Sequence, residues 1–506
     1  MNSKVSPRLS ESTATEICDA VYGPRLARDF PACFEPLCDV NEAHLLMLAT
    51  QRLLPEDAAV ALARSLRSIR AQGVAAVPLD PALEDAYLNF EAHLMRHAGS
   101  HVGGCLHVAR SRNDILATMD RLRCRRVVLD LVDALCAARA AALERAALHA
   151  DVVMPGYTHL QPAQPITFGF YMLAVADVLG RDVDRLLRIE PALDESPLGA
   201  CALAGTSFAI DRQQTARWLG FAGVVPNTLD AVASRDYALE LLGAMALMAT
   251  NASRVAQDFY VWATPEFGLL SFPDSVAGTS SIMPQKKNHI VLEYLKGKAG
   301  QLGGALAAAV STVRAVHFTH TGDGNRESMR NLWDAADESL RVAAMLRLVL
   351  ESAIPQPERM LKAASANFST ATDLADLLVR RCGLSFRESH HVVGATVRAA
   401  LADGLDSGNV TPEMLDRAAL DVLGRPLRLD KSALSDSLDP TRSVGARDIQ
   451  GGPNATQVRA RSAQGCIEVG ATRQANGLRR ARFEESALRR REALAALAES
   501  AKVPAC

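Results

Sequence analysis

Ala277-Gly278-Thr279-Ser280-Ser281-Ile282-Met283-Pro284-Gln285-Lys286-Lys287-Asn288 is small and flexible at its front, rigid at Met283-Pro284, and cationic and amide-bearing from Lys286 to Asn288. No proline lies between Gln285 and Ile354, and much of that span reads as helix. A mobile loop with two hydroxyls is thus tied to the start of a long rod. Loops that close from a stiff scaffold are a common way to keep water from a reaction. Without a function, the same residues are a serine-rich surface loop beside a solvated lysine pair.

Two upstream stretches bear on that choice. Leu106-His107-Val108-Ala109-Arg110-Ser111-Arg112-Asn113-Asp114 opens a run to about Ala150 that has neither proline nor glycine and reads as one long helix. Guanidinium and hydroxyl groups at a helix start suit a carboxylate, because Arg offers a bidentate fork and the helix end adds free N–H groups. An N-cap, Ser111 or Asn113, with ordinary surface arginines fits the same letters. Met154-Pro155-Gly156-Tyr157-Thr158-His159-Leu160-Gln161-Pro162-Ala163-Gln164-Pro165 is expected to be a rigid break between two long helices. Its histidine is either a structural residue or a titratable group held for proton transfer near neutral pH.

Together these stretches resemble the fumarase, aspartase and argininosuccinate lyase superfamily. Gly278-x-Ser280-Ser281-x-Met283-Pro284-x-Lys286-x-Asn288 is similar to its signature loop. Met-Pro-Gln-Lys-Lys-Asn and Thr158-His159-Leu160-Gln161-x-Ala163-Gln164-Pro165 resemble the argininosuccinate lyase branch. The resemblance covers about residues 20–460 and implies an all-α, fumarase/aspartase-like fold. It divides the chain into a helical N-terminal domain (1–113), a central long-helix bundle (114–360) and a C-terminal helical domain with a tail (361–506). It further implies a homotetramer in which each site draws its three motifs from three subunits. The reaction it implies is β-elimination of an amine from an N-substituted aspartate, with fumarate as product and no metal or cofactor.

By motif match Ser280 would be the general base, its alkoxide stabilised by Lys286 and N–H donors. Lys286 and Asn288 would hold the carboxylate that takes up the carbanion's charge. Ser111, Arg112, Asn113, Thr158 and Ser281 would bind the succinyl end, with Met283 and His320 also lining the substrate. His159 would act on the leaving amine, with Glu293 as its acidic partner.

Departures from the pattern concentrate on the amine side. Tyr87 stands where these enzymes have histidine, and His289-Ile290 where they have Pro-Asp. The segment that grips arginine has Tyr, Gln and Lys in the family; here it offers His320, Asn325 and Ser328. Replacing that lysine with serine removes the charge partner of an amino-acid carboxylate. In this respect the chain resembles the ethylenediaminedisuccinate lyase group. A C–N lyase with a non-arginine amine, a divergent argininosuccinate lyase and a non-catalytic structural homologue all stay open.

Composition agrees with this class. The chain has 506 residues with 49% hydrophobic and 5% aromatic content, so alanine and leucine carry the core, as suits close helix packing. A net charge of −2 asks for neither nucleic acid nor an acidic membrane. Ten scattered cysteines lack C-x-x-C spacing and read as reduced thiols. No basic start leads into an apolar run, and no stretch approaches spanning length, so a soluble cytoplasmic protein is expected. Residues 1 to about 20 read as polar and partly disordered. From Arg25 to Leu83 short helices are expected, with Asn41 capping one. A polar loop is expected over 439–455, and then a solvated final helix from Phe483 to Ala501.

Overall fold

The computed structural model of this chain describes residues 8, 9 and 11–500, and helix dominates them. The first half holds α1 (Gly23–Thr50), α2 (Glu56–Gln72), α3 (Ala86–Ala98), α4 (Arg112–Leu148), a hairpin of β1 (Val153–Thr158) and β2 (Gln161–Thr167), α5 (Phe168–Leu193) and α6 (Asp236–Trp262). Two-residue strands β3 (Gly278–Thr279) and β4 (Lys287–Asn288) follow, then α7 (Ile290–Val313) and α8 (Ser328–Ser352). The remainder holds α9 (Ala371–Cys382), α10 (Phe386–Ala402), α11 (Pro412–Leu423) and α12 (Ala455–Glu499). The fold is all-α, with strands only as short pairs.

Helix α4 sets the frame. Ser111 and Asp114 form a capping box at its start, satisfying two N–H groups that the helix leaves free. Leu135, Leu143, Met172, Met245, Leu295 and Leu346 join α4 to α8 in one apolar cluster. Burying each such side chain is worth about 1.5–3 kcal/mol. Three arginines of α4 work differently, because each reaches the carbonyl end of another helix. Arg125 donates to the carbonyls of Leu219 (2.8 Å) and Gly220 (3.0 Å), just past the helix Arg212–Trp218. Arg121 donates to Ala192 O near the end of α5, and Arg145 to Ala353 O just after α8. Helix ends carry unpaired carbonyls and partial negative charge, so a buried arginine there meets both needs.

A second cluster joins Leu37, Leu45, Leu62 and Phe90 of α1–α3 to Leu494 and Ala498 at the end of α12. A third lies among α9, α10 and α11, around Leu378, Val392 and Leu415.

Several expectations need correcting. α1 is one helix that runs through Pro31 and Pro36, because burial of Leu26, Phe30, Phe34 and Leu37 outweighs the proline penalty. Asn41 does not cap it; it is buried mid-helix and donates from Nδ2 to Leu37 O at 2.9 Å. The proline-rich connector is a β-hairpin rather than a plain break. Gly156 is needed at its bulge, since a Cβ there would sit 2.6 Å from Gln164 O. The 439–455 segment contains a helix, Pro440–Ala446, capped by Asp439. The last helix begins at Ala455, nearly thirty residues earlier than expected, and one side of it is buried. Helix is present from Thr15, while residues 1–7 and 10 of the expected disordered start lie outside the described residues, as do Ala501 and Cys506. The nine cysteines of the described residues are free thiols. Among those residues no helix is long and apolar enough to cross a membrane.

Candidate active site

β3 and β4 pair as Gly278 with Asn288 and Thr279 with Lys287, so residues 280–286 form a loop closed at its base. Lys287 pins that base. Its Nζ donates to Phe272 O (2.5 Å) and to Asp274 Oδ1 (2.7 Å), holding the Asp274 carboxyl below its usual range. Asn288 Nδ2 donates to Thr279 O at 3.3 Å. Inside the loop, the N–H groups of Met283 (3.0 Å) and Ile282 (3.4 Å) both donate to Ser280 Oγ. Two N–H groups aimed at one hydroxyl oxygen favour its negative form. Lys286 lies six residues after Ser280, exposed and, among the described residues, in no recorded ion pair, and Ser281 and Met283 are exposed in the same loop.

Thr158 and Gln161 close the β1–β2 hairpin, leaving His159 and Leu160 as its two-residue turn, both at φ +56. Such a turn needs positive φ at both positions and is normally built from Asn-Gly. Here two side-chain-bearing residues hold that strained conformation, and Leu160 is 64% exposed at the tip. His159 is exposed in this turn. Leu160→Gly is expected to stabilise the isolated fold by about 1 kcal/mol; an unchanged thermal midpoint would count against the strain.

Ser111, Arg112 and Asn113 open α4. Arg112 Nη1 donates to Glu84 Oε2 (2.7 Å) and Asp85 Oδ2 (3.3 Å), and Asn113 Nδ2 to Ala202 O (3.0 Å). Asp85 is a junction that the sequence reading passed over. It caps α3 by accepting from Leu88 N at 2.9 Å, and its other oxygen takes Arg112 and, at 3.4 Å, Arg326. Its signal was present, an acidic residue immediately before a helix. Asp114 was likewise unassigned. It is fully buried and accepts from Ser111 N, Gly199 N and Cys201 N, tying the 199–201 loop to the start of α4. Burial pushes its carboxyl up to about 6, against the pull of those three N–H groups and Arg110.

On the amine-side segment, Asn325 and Ser328 face inward. Asn325 Nδ2 donates to Val232 O at 3.2 Å while its Oδ1 accepts from Thr321 N at 2.8 Å, and Ser328 Oγ donates to Gly324 O at 2.5 Å. Both are buried and satisfied, which leaves His320 as the group of the three with free capacity, its Nδ1 unpartnered. Residues Asp323–Glu327 form a π-helical turn, a feature frequent at functional sites. Burial, then Arg326, Arg235 and Arg112, pushes His320 down to about 3, with Asp85 opposing. Its ring is therefore neutral across the physiological range and is expected to show no NMR titration between about pH 5 and 8. Because its folded value is depressed, its contribution to stability is lost as pH falls from its ordinary 6.5 toward about 3.

Glu293, in the first turn of α7, accepts from Tyr260 OH at 3.2 Å, and its charge raises that phenol. The structure thus gathers Ser111, Arg112, Asn113 and the His320 segment around Asp85. Among the described residues, no recorded hydrogen bond, ion pair or ring contact joins that group to the Ser280 loop or to the His159 tip, nor His159 to Glu293.

A family model described as lyase matches residues 40–304, and one described as argininosuccinate lyase C-terminal matches residues 368–445. Argininosuccinate lyase 1 of Shouchella clausii is 39% identical over 451 residues, covering 89% of this chain and 91% of its own. The chain belongs to the argininosuccinate lyase family. It is a carbon–nitrogen lyase of the fumarase/aspartase superfamily. The argininosuccinate lyase of Methanothermobacter thermautotrophicus is also 39% identical, over 433 residues, covering 84% of this chain and 91% of its own. Among solved structures, an EDDS lyase variant with bound fumarate shares 28% identity at a TM-score of 0.87, covering 97% of both chains. EDDS lyase in complex with formate matches at 29% and the same TM-score and coverage.

Proposed function

We propose that this lyase eliminates an amine other than arginine from an N-substituted L-aspartate, giving fumarate, and that it also runs in reverse. The observation that carries the reading is the pair of N–H donors on Ser280 Oγ in a loop that also bears Lys286. Ser280 removes the proton beside the carboxylate, with its alkoxide held by those donors and the nearby ammonium. Lys286 and Asn288 take the charge that spreads into the carboxylate, while Ser111, Arg112, Asn113, Thr158, Ser281 and Met283 hold the succinyl end. His159 meets the leaving nitrogen, with Glu293 as the acidic group that orients it. The amine is assigned as non-arginine because Asn325 and Ser328 are occupied within the fold and His320 is neutral. Arginine as the amine is the second reading, favoured by the names of the relatives at 39% identity.

Fumarate absorbance separates the two. Purified protein is given argininosuccinate, and in parallel fumarate with a panel of amines and diamines. Rapid release of fumarate from argininosuccinate overturns the leading reading; fumarate consumed with another amine supports it and names the amine.

We further propose a homotetramer with sites shared between subunits. Support comes from α7, where Gly297, Gly300, Gly303 and Gly304 have open space at the Cβ position and Tyr294 and Val310 are exposed, a face suited to close helix contact. Mixing Ser280→Ala and His159→Asn chains, each inactive alone, is expected to restore part of the activity. No recovery after co-refolding would place each site within one chain.

A further inference from the structure

α3 sets Tyr87 and Glu91 four residues apart on one face, and the turn before Ser111 packs against it. The Tyr87 hydroxyl lies 2.8 Å from Glu91 Oε1 and 2.6 Å from His107 Nδ1, and those two atoms are 3.0 Å from each other. Burial pushes the Tyr87 phenol up, so it keeps its proton. Glu91 is held below its usual range: burial works the other way, but hydrogen bonds from His107 and Tyr87 outweigh it. Arg110 is buried with its Cζ 5.4 Å from the Tyr87 ring centroid, and its Nη2 donates to the Tyr87 oxygen at 3.4 Å. Among the described residues its Nε and Nη1 are buried without a partner, so that oxygen is the guanidinium's one recorded acceptor there.

The same turn is held from its other side. His44 Nε2 lies 2.9 Å from Val108 O; burial and Arg110 keep this imidazole neutral, so Nε2 is the donor. Between the two holds sits Ala109 at φ +62, a conformation an alanine keeps only while its neighbours fix it. Ser111, Arg112 and Asn113 follow directly.

We propose that Tyr87 is a positioning residue for the carboxylate grip of Ser111, Arg112 and Asn113. It acts through Arg110 and His107, anchoring the Ala109 turn to the Glu91 charge, and does not itself meet substrate. The inference rests on the proposed function only in taking fumarate as the ligand of that grip.

The test is fumarate affinity of the full chain by calorimetry, beside KM and kcat in the amine-addition direction. Tyr87→Phe keeps the ring and removes the hydroxyl. It is expected to weaken fumarate about tenfold, the loss of one hydrogen bond to a charged group, with kcat close to wild type and a lowered thermal midpoint, because Arg110 loses its acceptor. Tyr87→His restores a ring donor and is expected to recover most of the affinity. His107→Asn, at a half-exposed side chain, opens the same ring of contacts and is expected to weaken fumarate as well. Wild-type affinity in Tyr87→Phe overturns the proposal, as does a fall in kcat without a change in affinity. Equal losses in Tyr87→Phe and Tyr87→His reduce Tyr87 to ring packing and also overturn it. A wild-type chain that binds no fumarate defeats the proposed function as well, which separates the two failures.

Discussion

Ser280→Ala is expected to slow fumarate formation by about a thousandfold, in the middle of the range for loss of a positioned general base. Burial is not at stake, because the serine lies in an exposed loop and, among the described residues, its Oγ is held by the Ile282 and Met283 N–H groups. Alanine leaves those two N–H groups to water, so the fold loses little and the chemistry loses its base. A serine hydroxyl is a poor base until its anion is favoured. In the proposed mechanism the two N–H donors and the ammonium of Lys286 lower that cost. Lys286→Met is therefore expected to lower kcat in the same direction while leaving the loop's hydrogen bonds intact. Fumarate absorbance at saturating substrate measures both, with the unfolding midpoint as control. A Ser280→Ala chain that keeps full activity removes Ser280 from the mechanism.

Arg490→Met is expected to cost about 3 kcal/mol of stability, as for breaking a buried ion pair on one side. Arg490 is 2% exposed although it lies on the polar-looking last helix. Its Nε donates to Glu42 Oε2 at 3.1 Å, its Nη2 to Asp39, and its Nη1 to Trp218 O at 2.9 Å. Arg70 meets the same acids, reaching Glu42 at 2.6 Å, Asp39 at 2.7 Å and also Glu35. Methionine fills the space but leaves the buried Glu42 carboxylate with one arginine where it had two. Denaturant midpoints check this. The pair Arg490→Met with Glu42→Gln should regain part of the loss, because the stranded charge is gone. An unchanged midpoint in the single variant would mean that water already serves these groups.

The bundle was legible in the sequence because its helices are long, rich in alanine and leucine, and almost free of proline. α4 could be read almost to the residue, with Ser111 as a candidate cap. Elements that depend on distant partners were not legible. Short helices were expected over Arg25 to Leu83 where one helix runs through Pro31 and Pro36, because the core that offsets the proline penalty is not visible in the sequence. Arg490 read as surface for the same reason, its acids lying more than four hundred positions away in sequence. The hairpin at 153–167 was missed because its turn carries His and Leu in place of Asn and Gly. The three chemical stretches stood out by residue type. Asp85 and Asp114 did not, since their importance lies in what they join.

The Lys287 pin has a consequence for how such an enzyme can change its substrate. It ties the Ser280 loop to Phe272 and Asp274, so among the described residues the side-chain hydrogen bonds of the proposed proton-removing loop run within residues 272–288. Those that shape the amine side run instead through Asp85, Val232 and residues 321–328. On the proposed mechanism the proton-removing loop can be kept while the amine side is varied, except where Asp85 links Arg326 to Arg112 of the succinyl grip. A library at 317–323 that spares Arg326 and the buried Asn325 and Ser328 is therefore expected to sample new amines at the least cost in turnover.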